Sequence, residues 1–413
     1  MAQVVPLAAI RFDHTRTGGD LSALLAPPYD VLDQQDKDAL LARSEHNIVA
    51  VDLPHVPPKS AGPDKVYQRS AKLLEQWLTE GILVREKKPA LYLYHQRFDH
   101  AGQPYTRRMF IARVRLQAFS EGVILPHEKT FGGPKEDRLA LMKATKCQLS
   151  PIFGLYADQQ DRIGQAFAAT SAGKPDATGQ LDGVESRVWI VTDADLITTV
   201  TAAMADKKLY IADGHHRYGT ALLYRDELAK QHGGALPANH PANFIMFILA
   251  GMDDPGCLIL PYYRAVANVS VDSLIQAWSE GVAPAASADQ ADIVLHDGRT
   301  GDQKPLRFTN RDALKALEPS ECEAWYQLDY AYLHRYLLDE LYSRKIGAPK
   351  MHYVKSIEDA KQIARDESGV ALLVKATPMA HLRAVSEQGG LMPQKSTYFH
   401  PKLATGVALN PLA

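Results

Sequence analysis

Two spacings organise the apolar positions of this chain. In one stretch Phe110, Ala112, Val114 and Leu116 alternate with Ile111, Arg113 and Arg115, the two-residue period of a strand. A strand is therefore predicted over Tyr105–Leu116, joined by a hairpin at Phe98–Gly102 to another over Ala90–Arg97. Upstream, Val66, Tyr67, Ser70, Leu73, Leu74, Trp77 and Leu78 fall on one helical stripe, with Asp64 as N-cap and Gly81 as the stop. Shorter apolar runs predict strands at Ile82–Val84, Ser150–Tyr156, Val188–Val191, Asn243–Ala250 and Cys257–Pro261. Helices are predicted over Asp33–Arg43, Asp161–Thr170 and Asp193–Met204, and loops over His55–Pro63, Leu125–Arg138 and Ser171–Gly179.

Near Asn268 the composition shifts towards alanine. A hairpin follows over Ile293–Phe308, then one amphipathic helix over Glu321–Arg344 with Tyr330, Leu333, Leu337 and Leu341 on its packing face. Tyrosines at helical spacing read as core rather than as a base-stacking surface. A helix over Ile357–Asp366, a strand over Val370–Val374 and a helix over Met379–Glu387 complete the pattern.

The most informative junction lies between the two periods, at Leu209–Tyr224. Leu209–Ala212 is a buried strand, Asp213-Gly214 is the turn, and a helix opens at His215 and ends at Gly233-Gly234. The first N–H groups of a helix have no internal partner. With the helix dipole they make a site for anions, and Arg217 adds a planar fork suited to phosphate or carboxylate. The bland alternative is a helix capped by Asp213 with solvated histidines. Two imidazoles, a guanidinium and a carboxylate within five residues favour chemistry.

Composition narrows the field. The chain has 413 residues, 46% hydrophobic and 23% charged, ordinary values for a globular protein of two domains or one enlarged domain. A formal charge of −2 gives no support for nucleic-acid binding. Three dispersed cysteines without a Cys-x-x-Cys pattern suggest a reducing compartment and no zinc ribbon. No signal peptide or apolar run of membrane length is visible, so a cytoplasmic location is expected.

Three further segments carry polar chemistry. Pro27-Pro28 fixes an extended backbone that presents Tyr29 and Asp30. The segment Leu125–Arg138 places His127, Glu128 and Lys129 together on a loop, where a carboxylate could serve as general base. The tail Met392–Lys402 combines Lys395, Ser396 and Thr397, a point charge and neutral donors suited to phosphate, without the spacing of a P-loop.

Ile211–Tyr218 resembles the hallmark of the family known as domain of unknown function 1015, and the resemblance extends over nearly the whole chain. Pro27–Val31, Pro126–Thr130, Asp137-Arg138 and the C-terminal tail match the same family's pattern. Asp213–Arg217 also resembles, more distantly, the phosphate-binding turn of the ParB/sulfiredoxin superfamily, and within it the free serine kinases. The family commonly has Thr-His-Arg where this chain has Tyr262-Tyr263-Arg264, so only Arg264 is carried over, and Tyr263 stands where the family histidine would.

The resemblance implies an α+β fold: a mixed sheet with a ParB/sulfiredoxin-like central core and added N- and C-terminal α/β elements. It implies a catalytic region over residues 1–267 and a C-terminal α/β region over 268–413 whose tail returns to the site. The implied activity is phosphoryl transfer, as a serine kinase or phosphoserine phosphatase-like enzyme using Mg²⁺ and an adenine nucleotide, ADP or ATP. Its catalytic residues would be Glu128 as base, His127, Asp213 and His216; Asp213 would also hold the metal. Gly214, His215, His216, Arg217, Lys395, Ser396 and Thr397 would bind phosphate or nucleotide, and Tyr29, Asp30, Arg138 and Arg264 substrate. The partners are serine or phosphoserine and the nucleotide, with neither nucleic acid nor membrane; the direction of transfer and the oligomeric state, a homo-oligomer included, stay open. Two rivals stand beside this reading. One is a ParB-like nucleotide-binding regulatory module without turnover, although no basic helix-turn-helix is visible. The other is a metal-dependent hydrolase using His127, Asp213, His215 and His216. A sulfiredoxin-like reductase is disfavoured because the turn holds no cysteine.

Overall fold

The structure is a computed structural model that describes residues 1–58, 60–129 and 132–412. Lys59 of the predicted His55–Pro63 loop, and Thr130 and Phe131 of the Leu125–Arg138 segment, lie outside the described residues. The chain divides into two compact units. The first comprises Met1–Pro126, Thr130–Cys257 and Pro401–Ala413; the second comprises His127–Lys129 and Leu258–His400. The division after Cys257 follows from strand pairing. Leu258–Leu260 pairs with Tyr398–His400, and Tyr263–Val266 is laid into the second unit's sheet.

The protein is α+β, and the first unit is built on a large mixed sheet. Among the described residues its nine strands are β1 (Val4–Val5), β2 (Leu91–His100), β3 (Gln103–Arg115), β4 (Ile124–Leu125), β5 (Ile152–Tyr156), β6 (Ala177–Leu181), β7 (Val184–Val191), β8 (Leu209–Asp213) and β9 (Phe244–Gly251). Their order is β4-β8-β5-β9-β3-β2-β7-β6, with β1 added to β3. The pairs β4–β8 and β5–β9 are parallel and the others antiparallel. The uninterrupted apolar run of β9 explains its central place: Phe244–Ala250 are all buried, as expected of a strand covered on both faces. The core of this unit includes Phe110, Ile152, Ile211, Tyr218 and Phe247.

Three helices of this unit matter below: α1 (Asp64–Thr79), α2 (Gly132–Thr145) and α3 (His215–Gln231). The stripe predicted for α1 buries Tyr67, Ser70, Leu74 and Trp77, but Pro63 occupies the cap position and Asp64 begins the helix itself. The segment predicted as loop to Arg138 becomes α2 from Gly132 onward. Its glycines stand at the helix start, and Glu136, Leu139, Ala140 and Leu141 sustain it. The predicted flexible tract Ser171–Gly179 instead runs into β6, which pairs with β7 from Ala177↔Val188 to Leu181↔Val184. A Cβ at Gly179 would lie 2.9 Å from Leu25 Cδ1 and 3.2 Å from Leu21 Cβ, so a side chain there would press on both leucines. The helix predicted over Asp161–Thr170 is two short helices, Arg162–Ala166 and Ala168–Ala172.

The second unit contains, among the described residues, a six-stranded antiparallel sheet of β10 (Tyr263–Val266), β11 (Val282–Pro284), β12 (Ile293–Asp297), β13 (Gln303–Phe308), β14 (Met351–Val354) and β15 (Val370–Val374). The order is β11-β13-β12-β15-β10-β14; β11 and β14 have no counterpart among the predicted strands. The helix predicted over Glu321–Arg344 is interrupted after Tyr326, resumes at Asp329 and winds as a π-helix over Tyr332–Tyr342. Its predicted face nevertheless stays inside: Tyr330, Leu333, Leu337 and Leu341 are all buried.

Candidate functional site

β8 approaches the central turn through an irregularity. Ile211 lies opposite Gly154 and Asp213 opposite Phe153, so Ala212 is the additional residue of a bulge. Gly214 then turns the chain at φ 100° and ψ 24° and stands at the N-terminus of α3. A Cβ at Gly214 would lie 3.0 Å from Ile152 Cδ1 and 3.1 Å from Arg217 Nε, so both backbone angle and space require glycine.

Among the described residues, no side-chain cap hydrogen bond is made to the start of α3. Asp213, the expected cap in the bland alternative, turns its carboxylate elsewhere. Oδ2 accepts from Lys402 Nζ at 2.8 Å, and Oδ1 accepts from Arg217 Nη2 at 3.3 Å. Burial opposes ionisation of Asp213, but Lys402, Arg217 and His215 outweigh it and hold the carboxyl well below its usual range. Arg217 is itself buried and donates through Nη1 to the Pro151 carbonyl. Burial disfavours its charge, and Asp213, with Tyr29, Asp30 and Asp52, more than compensates. The turn thus presents two cations against one carboxylate beside the positive end of a helix.

Behind Arg217 lies a buried ionic network. Arg138 donates through Nε to Asp137 Oδ2 at 2.7 Å and through Nη1 to the Asp52 carbonyl at 2.7 Å. The Tyr29 ring lies 3.9 Å from the Arg138 guanidinium carbon, a cation–π contact. Asp137 Oδ1 accepts from the Tyr67 hydroxyl at 2.8 Å and lies 2.7 Å from His55 Nε2. Asp52 Oδ2 accepts from the Ser150 hydroxyl at 2.7 Å. Burial pushes the Asp52 carboxyl up, while Arg138 and Ser150 act against that rise. A space of about 30 Å³ between Asp52, Arg138, Ser150 and Arg217 joins the network to the turn, and about two waters would fill it.

The expected site residues divide between the units. In the first are Tyr29, Asp30, Arg138, Asp213, Gly214, His215, His216 and Arg217. His215 is buried, His216 half-buried and Asp30 exposed, on a 3₁₀ turn after Pro28. Tyr29 and Arg138 are buried within the network, an arrangement of supports rather than of exposed substrate contacts.

In the second unit are His127, Glu128, Arg264, Lys395, Ser396 and Thr397. His127 is buried, with Nε2 3.0 Å from the Thr397 hydroxyl and its carbonyl accepting from Met392 N. The Ser396 hydroxyl donates to the Pro393 carbonyl at 2.6 Å and is buried, so it is occupied within the loop. Arg264 is fully buried and donates to the Tyr262 and Lys395 carbonyls and to His334. Burial and Arg264 push the His334 imidazole down to about 3, which leaves it a neutral acceptor. Arg264 thereby braces Lys395, which is exposed and adopts φ 56°, an uncommon angle outside glycine. Tyr263, standing where the family has histidine, starts β10 and is half-buried.

Sequence reasoning missed Lys402, Asp52 and His55 as participants, and treated Tyr67 only as core. Lys402 had a signal, because it closes the polar tail. The others had none, since pairing across 82 to 86 positions leaves no local pattern. Among the described residues no group of three or more His, Cys, Asp or Glu is placed to hold a metal ion. No helix among them is long and apolar enough to cross a membrane.

Known structures give several matches. One is a variant of a free serine kinase in complex with ADP, at 12% identity and TM-score 0.36 over 72% of this chain and 92% of that one. Another is a conserved hypothetical protein from Pyrococcus furiosus, at 14% identity and TM-score 0.35 over 72% and 95%. A third is SbnI with C-terminal truncation from Staphylococcus aureus, at 12% identity and TM-score 0.39 over 73% and 87%. Scores this low do not by themselves establish a shared fold. A search of curated protein sequences gives no match. The family model described as "Protein of unknown function (DUF1015)" matches residues 4–330, and the chain belongs to that family.

Proposed function

We propose that this protein catalyses phosphoryl transfer on serine or phosphoserine, as a kinase or a phosphatase-like enzyme with an adenine nucleotide, and that the Asp213–Arg217 turn holds phosphate. The observation that carries the reading is the start of α3: a 17-residue helix that opens at Gly214 beside Arg217 and Lys402, with no side-chain cap from the described residues. Phosphoryl transfer asks a protein chiefly for charge neutralisation and positioning. Here the helix N-terminus supplies donors, Arg217 and Lys402 supply charge, and Asp213 fixes both cations in place. The strand–turn–helix unit is the part of the fold for which we retain the ParB/sulfiredoxin-like assignment.

The residues present fit the phosphates of a nucleotide better than a dedicated cage for Mg²⁺, because both Asp213 oxygens already face cations. Magnesium is commonly held by substrate phosphates with one or two carboxylates, and bound that way it would neutralise phosphate charge. Glu128, half-buried in the second unit, is retained as the candidate base on the sequence resemblance to the free serine kinases.

The test is incubation of the full chain with phosphoserine alone, with ADP and with AMP, and with serine plus ATP, following serine and nucleotide by mass spectrometry. Serine release or phosphoserine formation is the expected result. No turnover in any mixture, together with no shift in melting temperature on adding nucleotide or phosphoserine, would overturn the proposal.

A further inference from the structure

A second cavity, independent of the reading above, lies in the first unit. It has a volume of about 240 Å³ and is lined at one end by Tyr156 and Gly251, the last residues of β5 and β9. Asp213 faces Phe153 at the other end of β5. Strand register accounts for one wall. Leu93 lies opposite Phe110, and His95 lies opposite Arg108, so these four side chains share a face of the sheet. Tyr156 and Phe167 extend this apolar floor, each ring lying about 6 Å from that of Phe110.

The polar lining is asymmetric. Four carboxylates, Asp158, Asp161, Asp253 and Asp254, face the cavity against one guanidinium, Arg108. Arg108 is already paired, donating to Asp254 Oδ2 and to Asp161 Oδ2, each at 2.8 Å. Asp158 accepts from Ile163 N, lies 3.4 Å from Lys207 Nζ and 3.7 Å from Arg162 Nε, so Asp253 is the carboxylate left without a cation among the described residues. Asp253 is exposed and makes no hydrogen bond or ion pair with the described residues.

His95 is the second, separate sign of a ligand. It is only 9% exposed, and its ring makes no hydrogen bond with the described residues; its ring contact is edge-on to Trp189 at 5.0 Å. His95 lines the cavity and its ring nitrogens are not sealed from solvent, so a ligand's donor can take the place of water there. Burial and the nearby Arg108 and Arg187 push its pKa down to about 4. The ring is therefore neutral near pH 7 and keeps a nitrogen able to accept a hydrogen bond. Arg187, its neighbour on β7, is paired with Glu185.

We propose that this cavity binds a small amphipathic amine, with its ammonium group towards Asp253 and His95 and its ring or hydrocarbon on Leu93, Phe110, Tyr156 and Phe167. The ammonium offers donors to a set of acceptors that outnumbers its cations, and aromatic faces attract a cation further. A carboxylate ligand would meet an unfavourable field, and a neutral ligand would leave the carboxylate excess uncompensated.

The experiment uses the full chain and three isosteric probes at pH 7.5: phenethylamine, 2-phenylethanol and phenylacetate. Calorimetric titration is expected to show saturable binding of phenethylamine at millimolar concentration or below, with the alcohol about ten-fold weaker, as for loss of a charged hydrogen bond. Phenylacetate should give no saturation. Asp253→Asn should weaken the amine by about ten-fold without changing the ligand-free melting temperature, since Asp253 is exposed and makes no such bonds. Ala168→Trp, an exposed position on the lining, should abolish binding by filling the mouth. Equal binding of all three probes, no saturable binding of the amine, or full affinity in Asp253→Asn or Ala168→Trp would each overturn the assignment.

Discussion

Removing Lys402 tests the contact that ties the end of the chain to the central turn, across 189 positions of sequence. Its Nζ lies 2.8 Å from Asp213 Oδ2, and both side chains are about one-fifth exposed. At that distance the bare Coulomb attraction is about 1.5 kcal/mol in a water-like medium and about 6 kcal/mol at an effective dielectric constant of about 20. Desolvation of both charges offsets much of the larger figure. A net coupling of about 2 kcal/mol, within the range for charge-assisted hydrogen bonds, is expected. It should be read as a double-mutant cycle with Lys402→Met, Asp213→Asn and the pair. Urea denaturation would be followed by the fluorescence of Trp77 and Trp189, in a background where Trp278 and Trp325 of the second unit are phenylalanine. The pH dependence has a defined sign. Asp213 has a depressed carboxyl pKa in the folded state, so its contribution is fully present above the unfolded carboxyl value of about 4. It is lost as pH falls from there through the folded value. The coupling should therefore be flat from about pH 5 to 8 and decline below about pH 4. A coupling near zero at pH 7, or one that grows on acidification, would refute the reasoning.

Four further outcomes are expected. Arg217→Ala should reduce affinity for a phosphate-bearing ligand by about ten- to a hundred-fold; because Arg217 also holds the Pro151 carbonyl, the melting temperature should fall too, with Arg217→Lys restoring only part of either. Glu128→Gln should lower single-turnover rate by about 10²–10⁴-fold with ligand affinity retained; an unchanged rate would end its assignment as base. Gly214→Ala should destabilise by about 1–3 kcal/mol, since φ is 100° and the new methyl would meet Ile152; an unchanged urea midpoint would contradict the geometry. Deleting residues 401–413 should lower the melting temperature of the first unit, because Leu409 bonds to Ile10, Thr405 to Ala26 and Asn410 to Gln148; a variant that keeps its melting temperature and loses only ligand affinity would show the tail to be a ligand-binding arm alone.

Local patterns decided much of the secondary structure. The hydrophobic run of β9, the alternation in β3 and the stripe of α1 each reflect burial of one or two faces, and burial leaves a period in the sequence. The helix Ile357–Asp366, the strand Val370–Val374 and the helix Met379–Glu387 are found over the residues their periods indicate. Where a segment's environment comes from distant residues, the local signal misleads. Ser171–Gly179 looks flexible because its residues are small, yet Ala177–Gly179 pairs with β7, and Gly179 lies close against Leu21 and Leu25. The Gly-Gly-Pro that suggests a loop before Arg138 instead begins α2.

The central turn was legible as a strand, a glycine and a helix start, because those requirements are set within six residues. The partners of its charges were not. Asp213 could equally have capped its own helix; only the return of the last segment into the first unit brings Lys402 to its carboxylate. Likewise Arg138 and Arg264 read as cations available to a substrate, since sequence gives charge but not solvent exposure. Tertiary packing buries both and turns their donors to Asp137 and Asp52 in one unit, and to Tyr262, His334 and Lys395 in the other. Sequence by itself determined which chemical groups this protein carries and which local elements hold them. The folded chain decided which charges neutralise each other, because a pairing across tens to hundreds of residues is fixed by the path of the backbone and leaves no spacing to read.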